Sequence, residues 1–157
     1  MLFRSGYKLG VQASSDHWST HISYACLLAE NHTREGLLDA IRKRHSYGAT
    51  DNIILDFRAR SGNAAYIMGD SFQADAAPLL SVRAIGTGAI KQIDVVKNQK
   101  FIYTTRPGVK EASFEYTDQD FGAGENYFYV RVLQEDGQIA WSSPIWVKAG
   151  AKPPVAR

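Results

Sequence analysis

Cysteine is nearly missing from this chain of 157 residues: Cys26 is the only one. No intrachain disulfide can form, so packing must hold the fold together. Cys26 sits in the apolar run Tyr24-Ala-Cys-Leu-Leu-Ala29. That setting suits a small buried hydrophobe better than a reactive thiol, which needs exposed, electropositive surroundings. Long hydrophobic runs are also missing. No segment approaches the ~20 apolar residues of a membrane span, and no membrane partner is expected. Met1-Leu-Phe-Arg4 is not followed by the apolar stretch of a signal peptide. Basic charge is sparse: the net charge is +2, and Arg42-Lys-Arg44 is the only cluster. Those cations fit the last turn of a helix, where they complement the dipole. A nucleic-acid partner, which would need a basic face, is not expected. No P-loop, paired-cysteine zinc motif, Gly-x-Ser-x-Gly elbow or internal repeat is visible.

What is present suits a globular protein. Apolar residues make up 45% and aromatics 11%, enough for a sizeable core. The pattern changes near residue 50. Before it, Lys8 to Ala13 reads as a short strand and Ile22 to Ala29 as a second apolar run. A helix follows, with Thr33 as N-cap, Glu35 in its first turn and Leu37, Leu38 and Ile41 as an apolar stripe. Gly48 is a plausible stop. After Asp51 the period becomes two, as in Ile53, Leu55 and Phe57 or Phe128, Val130 and Val132. Turn signals separate these runs: Gly69-Asp70, Gly86-Thr-Gly88, Pro107-Gly108 and Asp136-Gly137. Seven or so short strands imply an antiparallel β-sandwich of immunoglobulin-like architecture over 51–148. Residues 149–157, with Pro153-Pro154, read as a tail.

The chemistry concentrates in Ala13-Ser-Ser-Asp16-His17-Trp-Ser-Thr-His21. Carboxylate oxygen and imidazole nitrogen both suit zinc, manganese or iron, and strand ends in α/β barrels are where such ligands gather. Ser14, Ser15, Ser19, Thr20 and Ser23 can orient a ligand or a phosphate. His21 would share a face with His17 only in a helix, so it is the weaker candidate. Arg34 is a candidate phosphate clamp, though it also fits a helix N-terminus. Tyr47 and Thr50, in a Gly-containing turn before a strand, are candidate pocket-rim residues. His45 fits the end of the helix. Trp141 and Trp146 fall on opposite faces of a strand, one for the core and one for a surface.

Gly10-Val-Gln-Ala-Ser-Ser-Asp16-His17 resembles the late metal-ligand motif of the PHP-type metal-dependent phosphoesterases, the polymerase and histidinol phosphatase superfamily. Thr33 to Thr50 is similar to the helix and Tyr-x-x-Thr turn that close the barrel in a branch related to carbaryl hydrolase. Tyr129 to Gly137 and Ala140 to Val147 look like that branch's C-terminal β-sandwich. The resemblance implies an α+β protein: a short αβ fragment of a PHP-like barrel over 1–50, then the sandwich. It implies divalent metal (zinc, manganese or iron) in a full-length relative that hydrolyses phosphoester, ester or carbamate bonds through metal-bound hydroxide. Mapped by position, Asp16 and His17 are the best carry-over as metal ligands, with His21 the weaker candidate. The family commonly spaces its Asp and His by one residue; here they are adjacent, which leaves the choice among the three open. The His-x-His motifs that supply most ligands are not present in this chain. Two or three ligands hold an ion poorly, so weak metal binding and no activity are expected of the chain alone. Self-association, or a partner chain supplying the rest of the barrel, is the expected remedy for unpaired strand edges. The alternative reading is a non-catalytic sandwich module that binds or docks.

Overall fold

A computed structural model describes residues 6–16 and 22–150. The described chain has one helix, α1 (Arg34–Arg42), and one sheet of eleven strands. The first two strands are β1 (Tyr24–Leu27) and β2 (Ser46–Ala49), on either side of α1. Then come β3 (Ile54–Ser61), β4 (Ala64–Ile67), β5 (Ser71–Ala74), β6 (Leu79–Lys97), β7 (Lys100–Thr105) and β8 (Val109–Thr117). β9 (Glu125–Gln134), β10 (Ile139–Ser142) and β11 (Ile145–Ala149) complete the order. The main path through the sheet is β1-β2-β10-β9-β6-β3-β4. All pairs are antiparallel except β11 with β5.

This architecture overturns the expected α+β fold with a fragment of a PHP-like barrel. A barrel strand needs parallel neighbours and covering helices. Here β1 and β2 pair antiparallel with each other, and β2 pairs antiparallel with β10. Residues on either side of position 50 therefore share one sheet. The expected strand over Lys8 to Ala13 does not form either. Its backbone is held by side chains instead of a ladder: Val11 N–H donates to Ser143 Oγ at 2.8 Å, and Ser46 Oγ donates to Val11 O at 2.9 Å.

Period-two alternation in the sequence explains the core. Leu55, Phe57 and Ala59 of β3, Leu80, Val82 and Ala84 of β6, and Phe128, Val130 and Val132 of β9 are all buried. Each intervening residue faces outward. The sheet curls, so these faces meet Ile93, Val95, Ile145 and Val147 in one cluster. Burying each large aliphatic or aromatic side chain contributes about 1.5–3 kcal/mol.

The Gly86-Thr-Gly88 signal is not a turn between strands. It is a bend inside the 19-residue β6. Before the bend β6 pairs with β3 and β8; after it, with β7 and β9, and with β8 at Ile90 alone. Gln134, fully buried, staples the bend: its Oε1 accepts from Thr87 N–H at 2.9 Å, and its Nε2 donates to Thr87 Oγ1 at 3.1 Å. A Cβ on Gly86 would collide with that Oε1.

α1 forms as the sequence suggests. Thr33 Oγ1 accepts from Gly36 N–H at 3.1 Å, closing the N-terminus. The helix ends at Arg42, and Lys43 pairs with Asp39 at 2.6 Å. Gly48 does not stop the helix; it lies inside β2, with a different task.

Candidate functional site

Segment 10–13 lies across β2. Gly48 makes this approach possible, because a Cβ there would stand only 3.0 Å from Ala13 Cβ, Ala13 N and Gln12 C. The chain then reaches Ser15, whose hydroxyl clasps the base of the following loop. Ser15 Oγ accepts from Ser23 N–H at 2.9 Å and Ile22 N–H at 3.1 Å, and donates to Ser23 O at 3.0 Å. One hydroxyl thus ties both ends of the loop together. Asp16 begins it in the left-handed region, at φ 54°, which Asp tolerates better than most residues. Asp16 N–H donates to Ser14 Oγ at 3.3 Å. His17 and His21 lie outside the described residues.

Beside the clasp is a groove of about 230 Å³, lined by Val11, Ala13, Gly48, Thr50, Ile139 and Trp141. Thr50 belongs to this rim, as its sequence position suggests. Its Oγ1 accepts from Ile139 N–H at 2.9 Å, which fixes the hydroxyl. Trp141 is 44% exposed, whereas Trp146 is buried. Arg131 lies over the Trp141 ring at 5.6 Å and over Phe101 at 5.2 Å. Below it Asp94 is buried, with Gln92 Nε2 at 2.8 Å, Thr104 Oγ1 at 2.7 Å and Arg131 Nε at 4.0 Å. The two tryptophans do not share a strand: Trp141 lies on β10 and Trp146 on β11, so alternation along one strand does not relate their faces. The Arg131–Trp141 contact joins two strands and was invisible in sequence.

Tyr47 does not line the groove. Its side chain is buried, and its hydroxyl donates to Ile53 O at 3.0 Å. Burial pushes the phenol up to about 12, so it stays neutral and cannot serve as a base near neutral pH. Burial likewise raises the neighbouring Cys26 thiol, in keeping with an inert cysteine. Arg34 opens α1 and is exposed; it does not join the groove.

His45 acquires a partner that no spacing suggested. Its Nε2 stands 2.8 Å from Asp70 Oδ1, while Asp70 Oδ2 accepts from Ile67 N–H. Glu30, Glu35, Asp39, Lys43 and His45 line a second groove of about 270 Å³ between α1 and the chain before it. His45 precedes β2 and Thr50 follows it. At about 3.3 Å per strand residue the two are roughly 16 Å apart, so this dyad is separate from the Asp16 loop.

Among the described residues no three His, Cys, Asp or Glu side chains come together as a metal cage. Asp16 is the single described carboxylate of the loop. The described donors alone therefore do not make a site of three or four ligands.

Three uncharacterised chlamydial proteins are similar to this chain. The Chlamydia pneumoniae protein is 30% identical over 139 residues, which is 77% of this chain and 22% of that relative. The Chlamydia trachomatis and Chlamydia muridarum proteins are each 28% identical over 151 residues, covering 85% of this chain and 24% of the relative. The chain thus spans about a quarter of the length of the curated relatives it matches. No family model matches it, and no solved structure does. No helix among the described residues is long and apolar enough to cross a membrane.

Proposed function

We propose that this chain contributes a ligand-bearing loop to a metal-dependent hydrolase larger than itself and does not turn over substrate alone. The Ser15 clasp is the observation that carries this reading. Ser15, at the start of the loop, bonds three backbone groups at its end: Ile22 N–H, Ser23 N–H and Ser23 O. Such a clasp fixes Ser15 against Ile22 and Ser23 before any ion arrives, and pre-arranged ends lower the ordering cost of binding. The loop carries Asp16, His17 and His21, and the resemblance to PHP-type phosphoesterases gives those residue types their task. The relatives are about four times longer than the matched segment, which leaves room for the remaining ligands elsewhere. Zinc, manganese or iron, when bound, would supply a hydroxide at neutral pH. The groove beside Thr50 and Trp141 would lie next to the reacting bond.

Calorimetric titration of the 157-residue chain with zinc and manganese tests this. Weak binding is expected, with dissociation constants well above micromolar, lost in both Asp16→Ala and His17→Ala. An aryl phosphate should not be hydrolysed. Binding that survives both substitutions, or no binding at millimolar metal, would remove the loop from any metal site. Micromolar affinity with turnover would show that the chain is complete by itself.

A further inference from the structure

Thr104, Asp94, Arg131 and Trp141 stand directly opposite one another on the adjacent strands β7, β6, β9 and β10. They form one row across the sheet. Their chain neighbours Val95, Val130, Val132 and Ala140 belong to the core, so the row lies on the other face. Phe101 reaches that face through an irregularity. The register of β7 against β6 shifts between Val95 and Val96. By alternation alone Phe101 would face the same way as Tyr103, which packs against the core. The shift turns it toward Arg131 instead. Phe101 and Trp141 are 58% and 44% exposed, on strands at either side of β9, and the guanidinium lies over both rings. Arg131 is the unfinished member of the row. Asp94 beneath it is satisfied by Gln92 Nε2 and Thr104 Oγ1. Arg131 Nε stays 4.0 Å from that carboxylate, beyond hydrogen-bond reach, and is buried without a partner. Among the described residues the guanidinium makes no hydrogen bond, although it carries several donors and a permanent charge.

We propose that Arg131, Trp141 and Phe101 form a binding site for a small aromatic carboxylate. The carboxylate accepts from the free N–H edge of the guanidinium, and the aryl body lies against the exposed parts of the two rings. Three observations select this ligand. The unfilled donors of a fixed cation call for an oxyanion. The aromatic rings on the two sides of Arg131 call for a flat apolar body. A carboxylate conjugated to an aryl ring is coplanar with it, so it meets the planar guanidinium fork edge to edge while its ring stays between Trp141 and Phe101. A phosphate matches the charge but is tetrahedral. Asp94 keeps its place below, because its own acceptors are already taken by Gln92 and Thr104. The site stands whether or not the Asp16 loop binds metal, since no residue of that loop takes part.

Proton–nitrogen correlation NMR of the 157-residue chain, titrated at low salt with benzoate, benzamide and phenyl phosphate, tests the proposal. Benzoate should shift the Trp141 indole N–H and the Arg131 Nε–H signals saturably in the millimolar range. Benzamide, which has the ring without the charge, should bind about tenfold more weakly or not at all. Phenyl phosphate should bind more weakly than benzoate. Arg131→Gln should weaken benzoate by about tenfold or more while the core amide signals stay in place. Arg131→Lys, which keeps the charge and loses the fork, should also weaken it, and so should Trp141→Ala. If Arg131→Gln disturbs the core signals, Arg131→Lys and Trp141→Ala carry the comparison. No saturable shift with benzoate would overturn the site. Equal binding of benzamide, or benzoate binding unchanged in Arg131→Lys and Trp141→Ala, would overturn the role of the guanidinium and the rings. Tighter binding of phenyl phosphate would overturn the carboxylate as the ligand class.

Discussion

Ala13 rests on the space left by the absent side chain of Gly48. A Cβ there would meet the Ala13 Cβ at 3.0 Å and its backbone N at the same distance. Gly48→Val should lift segment 10–13 from β2 and open the groove beneath Trp141. Overpacking of this kind costs about 1–3 kcal/mol, enough to lower the melting temperature by several degrees. Limited proteolysis with chymotrypsin should cut faster at Tyr7, which is exposed at the start of that segment. Unchanged cleavage and melting would show that the contact is dispensable.

Tyr47 should give the fold a marked sensitivity to base. Its phenol is pushed up to about 12 by burial, against about 10 in the unfolded chain. Between those values the unfolded chain has given up the proton and the folded one keeps it. Stability is therefore full below pH 10 and falls as pH rises toward 12. Tyr47→Phe should remove that part of the slope. At neutral pH it should cost about 1–3 kcal/mol by leaving Ile53 O without its donor. Denaturant midpoints from pH 7 to pH 11.5 for both proteins measure this; parallel pH profiles would contradict it.

Ser15→Ala should loosen the loop without unfolding the sheet. Its hydroxyl holds Ile22 and Ser23 N–H at the loop base, in a partly exposed setting. Amide exchange at those two residues should accelerate at least tenfold while global stability changes by about 1 kcal/mol or less. Protection that persists would mean other contacts close the loop.

Much of the sheet was legible in the sequence, because alternation marks a half-buried strand. β3, β9 and the α1 N-cap at Thr33 follow directly from it. The bend at Gly86 to Gly88 was misread as a turn between strands. Glycines announce a break in regular backbone, but only the distant Gln134 keeps β6 continuous across it. The stretch Lys8 to Ala13 looked like a strand because it is apolar. Its hydrogen-bond partners, Ser46 and Ser143, are 35 and 132 residues from Val11. Of the candidate site residues, Thr50 reached a groove by adjacency. Tyr47 went to the core, because side chains in a strand buried on both faces cannot be sorted by period alone.

The Lys97–Asp118 pair should be the costliest polar contact to break. Both side chains are buried, with Nζ 2.6 Å from Oδ2, and Lys97 Nζ also reaches Asp120 O. Lys97→Met leaves the carboxylate without a counter-charge and should cost about 3–5 kcal/mol. Asp118→Asn on that background keeps the acceptor for Asp120 N–H and should recover part of the loss. A double variant no more stable than the single one would show that the charge was not the cause. Urea denaturation of the three proteins decides between these outcomes.

β6 is shared property. Its first half is edged by β3 and β8 and its second by β7 and β9, yet it is one covalent strand bent about Thr87. Neither half of the sheet owns a complete set of neighbours without it. Peeling β6 away leaves β7 and β8 with no strand partner among the described residues and β3 with β4 alone, while β9 keeps β10 and β11. A force or protease that frees β6 therefore cuts β3, β7 and β8 off from β9 in one step.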